Sequence, residues 1–151
     1  MIKILPNPEK RKITPYFELV VTIGYGEHCD DTFTENTIEI DDEKAGMDDI
    51  FDEDGFPDFN PYIKCSEAEK IVKFFKSVLP KVSGRHIVLN DGITDLWCEG
   101  MTKKEIQKLS RIYEYHTSLF SPEIEHNWYG VTDAEIRYTD ENGERYKCEV
   151  V

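Results

Sequence analysis

From Tyr16 to Tyr25 the chain places Phe17, Leu19, Val21, Ile23 and Tyr25 on alternating positions, with Glu18, Thr22 and Gly24 between them. A period of two predicts a half-buried strand, because successive side chains leave a strand on opposite faces. A polar connection at His28–Asp31 leads to Thr32–Ile40, rich in Thr and Ile and expected to return as its antiparallel partner. Phe33 is out of step with Ile38 and Ile40, which predicts a bulge or an early strand end near Glu35-Asn36.

The pattern then breaks. Residues 41–60 carry nine carboxylates and one lysine with no sustained apolar period, so a loop or short helical turn is expected. Met47, Ile50, Phe51, Phe56 and Phe59 give this acidic stretch apolar points with which to pin itself to a core.

Helical spacing begins at Ala68 and recurs through Ile71, Val72, Phe75, Val78 and Leu79, with Phe74 off the stripe. Ser66 followed by Glu69 reads as a capping box that starts this helix, and Pro80 and Gly84 end it. Residues 85–98 read as a hairpin turning at Asp91-Gly92. A second capping box, Thr102 with Glu105, opens a helix expected to face Ile106, Leu109, Ile112 and Tyr113 inward and to run to about Ser118.

The last hairpin pairs 134–139 with 145–151 around Glu141-Asn142-Gly143. Setting Ile136 and Tyr138 on one face with Tyr146, Cys148 and Val150 requires an odd-length loop, which a type I turn with Gly143 as a left-handed bulge supplies. A strand near 124–129 is expected to precede it. The expected fold is α+β, a mainly antiparallel sheet built from hairpins with two helices on one face, in the order ββ-αββ-α-(β)ββ.

A chain of 151 residues is long enough for one domain with its own core, and 39% hydrophobic residues are too many for a disordered chain. No run of about 18 apolar residues occurs, and prolines interrupt the N-terminal segment, so neither a membrane span nor a signal segment is expected. Cys29, Cys65, Cys98 and Cys148 are irregularly spaced, which fits reduced thiols and a cytoplasmic location.

Charge changes the picture most. With 31 acidic against 18 basic residues the net charge is −13, a field that repels nucleic acid and anionic lipid and attracts basic surfaces.

Candidate chemistry is sparse. Aligning Gly55 with the sixth position of a calcium-binding EF-hand loop puts Ile50 at the first and Pro61 at the twelfth, where carboxylates are required. That reading fails. The adjacent His28 and Cys29, with Cys65, Cys98, Cys148, His86, His116 and His126, lack the close ligand pairs of a structural zinc site. The same His28-Cys29 neighbours point apart along a chain and make a poor nucleophile and base. Gly24-Tyr25-Gly26 lacks the following helix, third glycine and lysine of a phosphate cradle. No catalytic residue, metal or cofactor is expected.

What remains is a dense carboxylate segment with embedded aromatics. Spaced carboxylates that stand in for phosphates, anchored by aromatic side chains, suit a protein that occupies the basic, nucleic-acid-binding surface of a nuclease, toxin or similar partner. The expected partner-binding residues are Asp48, Asp49, Asp52, Glu53, Asp54, Phe56, Asp58, Trp128 and Tyr129, while Trp97 is expected in the core. The alternatives are a small enzyme or ligand-binding domain whose pocket groups His28, Cys29, His86 or His126 with carboxylates, and an oligomeric structural protein with a self-complementary apolar patch.

Overall fold

The computed structural model describes residues 2, 13–25, 32–45, 61–82, 87–88, 100–120 and 129–150. Tyr16–Tyr25 forms the central strand β1, flanked antiparallel by β2, Thr32–Ile40, and by β5, Tyr129–Thr139. Beyond β2 lies β3, Tyr62–Ile63. Beyond β5 lie β4, Ile87–Val88, against its first half and β6, Arg145–Cys148, against its second. The fold is thus α+β, as the element pattern predicted.

The sheet is mixed rather than wholly antiparallel, because β3 runs parallel to the last two residues of β2, pairing Glu39 with Tyr62 and Ile40 with Ile63. The acidic segment is a crossover that brings the chain back beside the strand it left, which a parallel neighbour requires. It opens with the helical turn α1, Asp42–Ala45, whose first amides are capped by Asp41: its Oδ1 accepts from the Glu43 and Lys44 amides at 3.1 and 3.0 Å.

Phe33 does not bend β2. The strand pairs with β1 in unbroken register from Phe17–Ile40 to Tyr25–Thr32. Phe33 lies opposite Gly24, where an aromatic ring covers a strand glycine without disturbing the ladder. The irregularity falls on β5 instead: Thr22 faces Asp133 and Ile23 faces Val131, so Thr132 is the extra residue.

One face of the sheet carries Leu19, Val21, Ile23 and Tyr25 of β1, Ile38 of β2, and Val131, Ala134 and Ile136 of β5, all buried. Helix α2, Cys65–Val78, lays Ala68, Ile71, Val72, Phe75 and Val78 into that core, and Phe74 as well. Phe74 covers the neighbouring helix, with the Lys108 ammonium 5.6 Å from its ring centroid. Helix α3, Lys103–Tyr115, adds Leu109 fully and Ile112 and Tyr113 in part. The chain turns at His116, and the short α4, Thr117–Phe120, delivers Leu119 and Phe120 to the core.

The two predicted capping boxes part company. At Thr102 both halves form: the Glu105 amide donates to Thr102 Oγ1 at 3.2 Å and the Thr102 amide to Glu105 Oε1 at 2.9 Å. At Ser66 neither does, because α2 begins two residues earlier with Lys64 at the cap. Asp42 of α1 takes over the capping, accepting from the Cys65 amide at 2.7 Å, where a carboxylate also favours the positive end of the helix dipole. Glu69 accepts from Cys65 Sγ at 3.5 Å instead.

The β5–β6 hairpin forms as its pattern requires. Ile136 pairs with Cys148 and Tyr138 with Tyr146, and Gly143 takes φ 82° in the turn. Among the described residues no helix is long and apolar enough to cross a membrane.

Candidate functional site

At the end of the sheet where β1 begins, one cross-strand row stays uncovered by the helices. Register places Ile40 beside Phe17, Phe17 beside Tyr138 and Tyr138 beside Tyr146, on the same face as the core. The next row inward is Ile38, Leu19, Ile136 and Cys148, and there the core closes over. The outer row forms an aromatic shelf. Phe17 is 45% exposed and Tyr146 51%, and the Phe17 and Tyr138 rings lie 4.8 Å apart, centroid to centroid.

A cleft of about 380 Å3 opens on this shelf, lined by Phe17, Ile40 and Ile136, with Val150 beyond β6. Its rim is acidic: Asp42 from α1, Glu69 from the first turns of α2, and Glu149 after β6, with the thiols of Cys65 and Cys148 between them. No lysine, arginine or histidine is among these lining residues. The Cys65 thiol is pushed up by burial and by its contacts with Glu69 and Asp42, the reverse of what a nucleophilic cysteine at a helix start needs. The cleft suits an apolar or cationic group, not thiol chemistry.

The opposite face of the sheet is ionic. Glu18, Val20 and Thr22 of β1 lie there with Phe33, Glu35, Thr37 and Glu39 of β2 and Asp133, Glu135, Arg137 and Thr139 of β5. Arg137 passes over its direct neighbour Glu18 and reaches diagonally to Glu35, donating to Oε1 at 2.8 Å and also to Oε2. Its Nε donates to Glu135 Oε1 at 2.7 Å, and Lys147 stands 3.6 Å from the other Glu135 oxygen. The line from Arg137 to Glu35 crosses β1 at Val20, which is fully buried on this charged face.

These contacts hold the Glu35 carboxyl below its usual range, chiefly through the Arg137 hydrogen bond, and keep the guanidinium charged. Glu18 and Glu39 sit directly opposite each other, an unfavourable like-charge pair, and the buried Glu18 Oε1 has no hydrogen-bond partner among the described residues.

Of the residues that sequence reasoning assigned to partner binding, Tyr129 is corrected. It pairs with Tyr25 on the core face and is 9% exposed, and burial raises its phenol pKa. Being the first residue of β5, it alternates inward with Val131, so its ring packs rather than projects. Asp48, Asp49, Asp52, Glu53, Asp54, Phe56, Asp58 and Trp128 lie outside the described residues, as do Trp97, the Asp91-Gly92 turn, the 124–128 segment, His28, Cys29, His86, His126 and Cys98.

The shelf was missed. Phe17 and Tyr138 had been read only as inward members of alternating strands. The signal available was their position: both stand at a strand end, beyond the reach of a helix that starts at Cys65.

Among the described residues no group of three or more His, Cys, Asp or Glu is placed to hold a metal ion. His116 ends α3 with Nε2 3.6 Å from Glu67 of α2, a contact between helices rather than a cleft. Comparison with protein-family models, with curated proteins and with solved structures finds no match.

Proposed function

We propose that this chain is an acidic protein-binding module that occupies the basic, nucleic-acid-binding surface of a partner such as a nuclease or toxin, in the manner of an immunity protein or an anti-defence inhibitor. The observation that carries this reading is a net charge of −13 on a chain that folds into one sheet with a continuous core. A field of that sign speeds encounter with cationic surfaces and opposes nucleic acid and anionic membranes. A cytoplasmic site of action goes with the reading, since its cysteines are read as reduced.

The mixed ionic sheet face supports the same reading. Its accessible carboxylates, Glu35, Glu39 and Asp133, are held on strands, so their spacing is set by the sheet before any partner arrives, which lowers the ordering cost of binding. The acidic segment 41–60 adds nine carboxylates against one lysine.

Affinity capture tests it. The tagged chain is incubated with its native cell lysate at low and at physiological ionic strength, beside a variant carrying Asp52→Lys, Glu53→Lys and Asp54→Lys. A basic nucleic-acid-binding protein held at low salt, weakened at physiological salt and lost by the variant is the expected result. Retention unchanged by the reversals overturns the reading.

A further inference from the structure

We infer that the aromatic shelf and its cleft dock an arginine-bearing segment of the basic partner, the guanidinium lying on the Phe17 ring between the carboxylates of Glu69 and Glu149. This rests on the reading of the chain as a binder of basic surfaces and assigns a place on the molecule to the contact.

The charge of the site selects the occupant. Asp42, Glu69 and Glu149 come from separate parts of the chain and converge on one apolar floor, and among the described residues no cation lines the cleft. Within the described contacts one oxygen of Asp42 is engaged by the Cys65 amide and one of Glu69 by Cys65 Sγ. A second copy of this chain brings the same acidic rim, and nucleic acid or an anionic lipid brings phosphates, so like charges oppose each of them. A cationic side chain is the complement.

The floor selects which cation. Phe17 lines the cleft and begins a row that continues beside it through Tyr138 to Tyr146, with the Phe17 and Tyr146 rings about half exposed. A planar guanidinium stacks on an aromatic face while its fork of donors meets a carboxylate two at a time; an ammonium is a compact, strongly hydrated point charge that does neither as well. Exposed aromatics beside a pocket are also the side chains that concentrate binding energy in interfaces.

The full chain is titrated with acetylated tetra-arginine amide and, in parallel, with tetra-lysine amide, followed by NMR of backbone and aromatic resonances. Expected are shifts centred on Phe17, Tyr138, Tyr146 and Cys148, tighter binding of the arginine peptide, and weakening by about tenfold, or roughly 1.4 kcal/mol, in a Glu69→Gln/Glu149→Gln variant. Phe17→Ala and the more exposed Tyr146→Ser are each expected to weaken it as well, so the test survives if one of them fails to fold. Shifts scattered over the surface, equal binding of both peptides, or indifference to the Gln pair overturn the inference.

Its failure and that of the functional reading are separable. A basic partner captured equally well by the native chain and by Tyr146→Ser overturns the shelf and leaves the module. Arginine binding at the shelf without any captured basic protein supports the shelf and overturns the module.

Discussion

Two residues carry more of the structure than their size suggests. Gly100 has φ 99°, and a Cβ there would overlap the carbonyl oxygen of Lys81, which ends the short 3-10 turn Leu79–Lys81 after α2. Neither a left-handed backbone nor that approach admits a side chain. Gly100→Ala is therefore expected to destabilise the fold by about 2 kcal/mol, combining the backbone cost with steric overlap, as read by chemical denaturation. Arg137 is the second. It serves Glu35 and the 8%-exposed Glu135 together, so Arg137→Met leaves a buried carboxylate with only Lys147 at 3.6 Å. The expected loss is on the order of 2 kcal/mol, below that of a fully buried pair because Glu35 is well exposed. An unchanged denaturation midpoint in this variant would show that the diagonal bridge does not stabilise the fold.

At the scale of elements, α3 is fastened at its start. Thr102 and Glu105 complete a capping box, and the Lys81 ammonium adds a 2.6 Å contact to the same Glu105 carboxylate, joining the 3-10 turn after α2 to the beginning of α3. Thr102→Ala should cost about 1 kcal/mol, measured by thermal or denaturant unfolding. Glu105 is held below its usual range, first by Lys81 and then by the Thr102 amide, and Glu35 by Arg137. A carboxyl whose folded pKa is lowered contributes stability above its unfolded pKa and loses it as pH falls through the folded value. Unfolding followed from pH 7 into the acid range should show stability falling below the ordinary carboxylate range, and Glu105→Gln should flatten part of that slope. A slope unchanged in Glu105→Gln would contradict the assignment.

What could be read along the chain divides at this scale as well. Alternation placed β1, the second half of β5 and β6, and the odd loop at Gly143 fixed the register of Tyr138 with Tyr146, because both signals are local; that β5 already starts at Tyr129 was not read. The parallel pairing of β3 was not legible: two residues, Tyr62 and Ile63, carry no period, and only the returning crossover places them. The Ser66 box failed for a related reason, since Asp42, distant in sequence, reached the Cys65 amide and shifted the helix start. The shelf followed the same logic. Alternation marks Phe17 as inward-facing, but whether a helix covers it depends on where α2 begins in space.

For the whole molecule the question is what a charge of −13 is for. Solubility needs less, and beside a sheet face where Arg137 and Lys147 offset part of the carboxylate charge the molecule offers an acidic cleft edged by Phe17. Association with a basic partner should then slow steeply as salt rises, because steering is screened over about 8 Å at physiological ionic strength, while dissociation responds less. Stopped-flow association at several salt concentrations reads this directly, and a flat on-rate would count against electrostatic recognition.

The most direct measurement is competition: the captured partner, saturated with a labelled nucleic-acid duplex, is titrated with this chain and the label's anisotropy is followed. The account predicts stoichiometric release of the duplex, because carboxylates take the places of phosphates. A ternary complex, with the chain bound and the duplex retained, would contradict it.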